Sequence, residues 1–352
     1  MTPTREQRTL YLLGPGQVEL RREPTPAPGA GELLIRVDAA TTCGTDLKVF
    51  RRGGHPRMLR TPCPFGHEVT GTVVARGAAV NGWREGDEVV IANSAACGHC
   101  PPCRAGRENL CLRLTYLNGA FADYLRVPEL FVHRSTYRRP GSLAPSLAAL
   151  AEPLACVLHG LEQGAGPQPP GEALVLGAGP IGLMFVAELA RSGCRVAVAD
   201  RVPERLAVGR RLGAVETLEI AADGSDPDRL HDALAGGGAP LVVDATGHPE
   251  VWAPAFRAVA PGGTLVLYGG HPPDTEVTLD SHRLHYGEIT VRGVYHHRPA
   301  TFAAALDRLS NDAADLAILI SETHGLEGVA TALAGMAERR ILKAAILPHG
   351  HA

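Results

Sequence analysis

The sequence predicts an α/β protein in which a doubly wound parallel sheet is joined to a mainly β, barrel-like domain. Three observations carry this. Up to about residue 140, short alternating segments (ELLIRVDAA, VTGTVVARGAAV, DEVVIAN, FADYLRV) are separated by Gly, Pro and Asn, the pattern of half-buried strands joined by turns. From residue 172 onward, apolar runs alternate with helical patterns, the order that builds a parallel sheet covered by helices. Between the two lies SLAALAEPLACVLHGLEQ, apolar at helical spacing and closing on the helix breakers GAGPQPPG, a boundary between units.

Taken in order, the second region offers strands at ALVLG, RVAVAD, AVETLE, PLVVDAT, GTLVLYG and EITVRGV, with helices such as IGLMFVAELARSG and VPERLAVGRRLG between them. After about residue 295 come the helix ATFAAALDRLS, a short strand, another helix and the strand RILKAAIL. That tail is too small to be a domain, so it is expected to complete the first one. The predicted domains are therefore 1–155 with 295–352, and 156–294. No internal repeat or low-complexity segment interrupts them.

The 352 residues are 45% hydrophobic, enough for two cores. A formal net charge of −3 offers no basic field for nucleic acid and no acidic tail. The stretch MTPTREQRTLYLLGPG has charges but no apolar run of signal-peptide length, and nothing approaches the ~20 apolar residues of a membrane span. A soluble, cytoplasmic protein with reduced thiols is expected. Four of its eight cysteines fall within CGHCPPCRAGRENLC, at Cys97, Cys100, Cys103 and Cys111. Reduced and clustered, they read as metal ligands rather than a disulfide framework. Four thiolates from one loop close a tetrahedron around zinc and leave no open position, which makes the site structural. A ferredoxin-type cluster would place the fourth cysteine after three residues and before proline; here it follows after seven and precedes Leu112. A nucleic-acid zinc ribbon would need basic, aromatic surroundings that the loop lacks. Cys63, Cys156 and Cys194 sit in apolar sequence and read as core thiols.

ALVLGAGPIG places Gly177, Gly179 and Gly182 in G-x-G-x-x-G spacing, with Pro180 and Ile181 opening a helix directly after a strand. Gly177 permits the tight turn, Gly179 lets backbone approach a pyrophosphate, and Gly182 allows close helix–strand packing. The next strand ends at Asp200, where a carboxylate meets the adenosine ribose hydroxyls. That acid favours NAD over NADP, whereas Arg201 and Arg205 just beyond it are able to receive a 2′-phosphate.

CGTD at Cys43, FGHE at His67 and Glu68, and AEPLACVLHG at Glu152 supply a thiol, an imidazole and two carboxylates. Each has an ordinary structural reading: a small buried thiol, a polar position, a first-turn helix acid. Spacing alone does not join them. In this order, with the four-cysteine loop, the Glu-Pro helix start, the glycine fingerprint, Asp200 and Gly86-Asp87 in REGDEVV, nearly the whole chain resembles the zinc-dependent medium-chain dehydrogenase/reductase family. This is the alcohol dehydrogenase superfamily, and the likeness is nearest to its polyol (sorbitol or xylitol) and threonine dehydrogenase branch.

The resemblance implies a GroES-like catalytic barrel, a Rossmann domain and a nicotinamide cleft between them. It implies two zinc ions per chain, the catalytic one held by Cys43, His67 and Glu152. Glu68 would stand behind the ligands or exchange with them, and Thr45 would relay the alcohol proton. The metal would act as a Lewis acid while hydride passes between a secondary alcohol and the nicotinamide. It also implies a homodimer or homotetramer joined through EITVRGV. Two departures bear on the substrate. Lys48 stands five residues after Cys43, where these branches often have His, and His296 and His297 stand where the polyol branch tends to have Arg and then Tyr. The cations Lys48, Arg51, Arg52, His55 and Arg57 could receive a phosphate, although solvated surface charge is the commoner role. A polyol, sugar or cyclitol-like alcohol is the expected substrate. The alternatives are a threonine-type 3-hydroxy amino acid, a polyol phosphate, and a zinc-stabilised nucleotide-binding protein without turnover.

Overall fold

The computed structural model describes residues 5–166, 170–220, 227–234, 236–271 and 274–350. Of the GAGPQPPG boundary, residues 167–169 lie outside the described residues. The chain divides into two units, Met1–Ala155 with Arg298–Ala352, and Cys156–His297.

The first unit is built on a seven-stranded sheet. Its central strand, Leu33–Thr41, pairs antiparallel with Glu68–Arg76 on one side and with Tyr124–Val127 and Lys343–Ile346 on the other. Lys343–Ile346 also pairs parallel to Ile320–His324, so the tail of the chain extends the sheet begun at its other end. Leu33, Ile35, Val37, Val89, Ile91, Phe65 and Phe121 fill the core. Phe65 and Phe121 meet edge to face with centroids 5.5 Å apart, each burial contributing about 1.5–3 kcal/mol. Close strand approach demands glycine at residue 71, where a Cβ would lie 2.2 Å from the Arg36 carbonyl oxygen.

The second unit carries six parallel strands in the spatial order Glu216–Glu219, Arg195–Asp200, Glu172–Leu176, Ala239–Asp244, Val259–Leu267, Thr290–Gly293. In chain order this is 3-2-1-4-5-6, the doubly wound arrangement whose switch point lies between Glu172–Leu176 and Ala239–Asp244. Both strands read as continuous apolar runs and are almost wholly buried, as parallel strands covered on two faces must be. Thr290–Gly293 lies at the sheet edge. Among the described residues no helix is long and apolar enough to cross a membrane.

Cys156 and Cys194 are buried and Cys63 is half-buried. Burial, helped by Glu172, pushes the Cys194 thiol up to about 11, which leaves almost no thiolate near neutrality. Iodoacetamide at pH 8 should therefore leave Cys194 unmodified in the folded protein; its labelling at the rate of an ordinary thiol, read by mass spectrometry, would contradict this burial.

Candidate active site and zinc centres

Cys43 caps the helix Gly44–Arg52 in a reciprocal box. Its Sγ accepts the Thr45 amide at 3.4 Å, while the Asp46 carboxylate accepts the Cys43 amide at 2.8 Å. A sulfur at a helix N-terminus lies in the partial positive field of the helix. The second Asp46 oxygen sits 2.9 Å from Nδ1 of His67. A carboxylate only accepts, so Nδ1 carries the proton and Nε2 is left with its lone pair for a metal. Burial opposes charge on His67, but Asp46 and then Cys43 outweigh it and raise the imidazole well above its ordinary 6.5, so a metal bound at Nε2 takes the place of a proton there while Nδ1 keeps its own.

Ligand atoms of Cys43, His67 and Glu68 lie within 4.8 Å of one another. Glu68 is fully buried, and Lys343 Nζ donates to its two oxygens at 2.9 and 2.7 Å. The Thr41 hydroxyl donates to the same carboxylate. Burial would lower the Lys343 ammonium, yet Glu68, then Cys43 and Glu152, raise it overall. Glu68 is thus an anion already matched by a buried cation, the arrangement that makes interior charge tolerable. Glu152, 7% exposed at the start of the helix Ala151–Gly164, is not in the 4.8 Å group, although its charge reaches Lys343. Thr45 is half-buried beside Cys43, and Lys48 is exposed.

Sequence reasoning missed Asp46, Thr41 and Lys343. Asp46 had a signal, since Cys43-x-x-Asp46 repeats the spacing of a capping box. Lys343 had a fainter one, a lysine inside the apolar strand ILKAAIL, which a buried strand keeps only with a partner.

A thiol, an imidazole held in one tautomer and nearby carboxylates form a donor set suited to zinc. The second cluster suits it too. Ligand atoms of Cys97, Cys100, Cys103 and Cys111 fall within 4.8 Å of one another. The Cys100 sulfur lies 3.4 Å from that of Cys103 and 3.8 Å from that of Cys111, against the S–S edge of roughly 3.8 Å that a tetrahedron of 2.3 Å Zn–S bonds requires. Backbone amides, led by that of His99, draw the Cys97 thiol down to about 5. The Cys97 and Arg113 amides each donate to Cys111 Sγ at 3.3 Å.

In the second unit Gly177 has φ 95°, a left-handed turn open to glycine. A Cβ on Gly182 would lie 1.8 Å from the Gly177 carbonyl oxygen, whereas one on Gly179 would meet nothing within 4 Å. Open space at Gly179, beneath a helix start Pro180–Arg191 that no side chain caps, is a cradle for an anion. Asp200 Oδ2 accepts the Ala178 amide at 2.6 Å and Oδ1 accepts the Val202 amide at 3.0 Å. The acid at the strand end therefore clamps the glycine loop and keeps one lone pair on each oxygen. Arg201 and Arg205 are half-buried and partnered. Ile181 lies in the first turn of the Pro180–Arg191 helix. His296 takes φ 62°, its ring 4.1 Å from that of His297, and its carbonyl lies 2.7 Å from His159 Nδ1.

Residues 29–136 match the alcohol dehydrogenase GroES-like domain family and residues 180–311 the zinc-binding dehydrogenase family. An L-threonine 3-dehydrogenase of Bacillus velezensis is 35% identical over 78% of this chain and 79% of its own length. A sorbitol dehydrogenase of Bacillus subtilis is 28% identical over 88% of each. A solved zinc-binding dehydrogenase target from Sinorhizobium meliloti 1021, bound to NADP, superposes with a TM-score of 0.88 at 28% identity, covering 98% of this chain and 100% of that one. Two ordered family matches and a donor set suited to zinc place the chain in the zinc-dependent medium-chain branch of the alcohol dehydrogenase superfamily.

Proposed function

We propose that the protein oxidises a secondary CH–OH group of a polyol, sugar or cyclitol-like alcohol with a nicotinamide cofactor, and reduces the corresponding ketone in reverse. The observation that carries this is the Cys43–Asp46–His67 arrangement, in which one carboxylate both caps the helix that presents the thiol and fixes the imidazole tautomer. Cys43, His67 and Glu152 hold the catalytic zinc, with Glu68 kept behind them by Lys343. Bound there, zinc supplies a Lewis acid that lowers the pKa of the alcohol. Thr45, beside Cys43, takes the alcohol proton toward solvent. Cys97, Cys100, Cys103 and Cys111 hold a second, structural zinc.

The loop from Gly177 to Gly182 takes the cofactor pyrophosphate, and Asp200 favours NAD because its charge repels a 2′-phosphate. Arg201 and the NADP-bound relative support the opposite preference, so both cofactors belong in the assay. Threonine is the second substrate reading, favoured by the Bacillus velezensis relative.

The test is reduction of NAD and NADP by zinc-replete protein offered sorbitol, xylitol, ribitol, myo-inositol, L-threonine and simple secondary alcohols. Turnover with one polyol class, about two zinc ions per chain and loss of activity on chelation are expected. Turnover that survives removal of all metal would overturn the proposal, and selective use of threonine would replace the polyol reading.

A further inference from the structure

Between Asp46 and Glu68 the chain carries Lys48, Arg51, Arg52, Arg57 and Arg60 and no acidic residue, although its formal net charge is −3. The fold turns this run into a closed excursion. It leaves at Cys43 and returns at His67, whose ligand atoms lie within 4.8 Å of each other. The helix Gly44–Arg52 ends at Gly53 with φ 76°, a left-handed cap. The chain then doubles back through a short hairpin pairing Gly54–His55 with Leu59–Arg60.

This hairpin is anchored. The Gly53 amide donates to the Val49 carbonyl at 2.8 Å, the Thr61 hydroxyl to the Gly53 carbonyl at 2.8 Å, and Asn118 Nδ2 to the Met58 carbonyl at 3.1 Å. His55 Nδ1 accepts the Arg57 and Met58 amides, both at 3.1 Å. The guanidinium groups ride on a rigid frame and are exposed at Arg51, Arg52, Arg57 and Arg60. Among the described residues no carboxylate lies within 4.0 Å of Arg51, Arg52 or Arg60. His55 is half-buried within this hairpin.

Resting on the dehydrogenase reading above, we infer that this basic excursion is a substrate subsite. It takes the anionic end, a carboxylate or a phosphate monoester, of a polyhydroxy substrate whose carbinol is oxidised at the Cys43–His67 centre. Guanidinium forks match either anion in two-point contact. A run of like charge with no acidic residue among residues 47–67 also draws anions from solution, an effect that salt weakens.

The experiment uses zinc-loaded protein with matched substrates: sorbitol and galactitol against their aldonates and their 6-phosphates. One anionic class should exceed its neutral parent in kcat/KM by about tenfold at low ionic strength, and the gap should close in about 0.5 M NaCl. Whichever class gains identifies the anion. The double variant Arg52→Gln, Arg57→Gln should lose most of this preference through KM, while Arg22→Gln elsewhere on the unit keeps it. Calorimetric binding of gluconate and inorganic phosphate gives a readout independent of turnover. Neutral substrates used as well as anionic ones, with anion binding equal in the protein and the double variant, overturn the subsite and leave the dehydrogenase reading intact. If no alcohol is turned over, that reading fails and the calorimetry still decides. Binding lost in the double variant upholds the subsite, and binding unchanged rejects it.

Discussion

Replacing Lys343 with methionine should cost the fold about 3–5 kcal/mol, because it strands the buried Glu68 carboxylate without its counter-charge. Both partners are essentially inaccessible, with side-chain exposures of 2% and 0%, so solvent screening does not soften the loss. Methionine keeps nearly the same volume, and the packing of the strand Lys343–Ile346 should survive. Denaturant unfolding of the zinc-loaded protein would read the change, and Glu68→Gln placed on top of Lys343→Met should recover more than half of it. A single-variant loss under about 1 kcal/mol would mean that Glu68 has another counter-charge.

Cys43→Ser should lower kcat on the order of a thousandfold, the rate equivalent of about 4 kcal/mol, and remove one of the two zinc ions proposed above. Helical and strand content should hardly change, because serine caps a helix at least as well as cysteine. Cys100→Ser should act in the opposite way. It opens the buried thiol cluster and should lower stability, while folded protein keeps its specific activity. Zinc content, circular dichroism and steady-state rates measured on the same two preparations separate these outcomes. Equal loss of specific activity in both variants would contradict the division of labour between the two clusters.

Much of the architecture is legible in the sequence because its strands are chemically plain. LVVD, ALVL and AVAD are continuous apolar runs, and runs of that length between helical patterns have few places to go except a covered parallel sheet. The four-cysteine loop is legible for a similar reason, since its ligands are local. The helix Gly44–Arg52 was less visible. Its residues are mostly polar, and it reads as a basic stretch until Cys43 and Asp46 are recognised as its cap. Lys343 and Glu68 lie 275 residues apart, and no local pattern links them. Asp200 was found by position, but the sequence cannot show that both its oxygens already hold backbone amides. Glu152 was joined to Cys43 and His67 by family likeness; the structure leaves it outside their 4.8 Å group.

The 275-residue gap between Glu68 and Lys343 also sets a clock during synthesis. At about 5–20 residues per second the ribosome needs roughly 14–55 s to make the lysine after the glutamate. Throughout that interval the first sheet lacks its strand Lys343–Ile346 and with it the cation that lets Glu68 be buried as an anion. The segment Cys156–His297, made in between and compact by itself, has all its own strands before the unit that precedes it is complete. The first unit therefore cannot be completed until the whole of the second has been made.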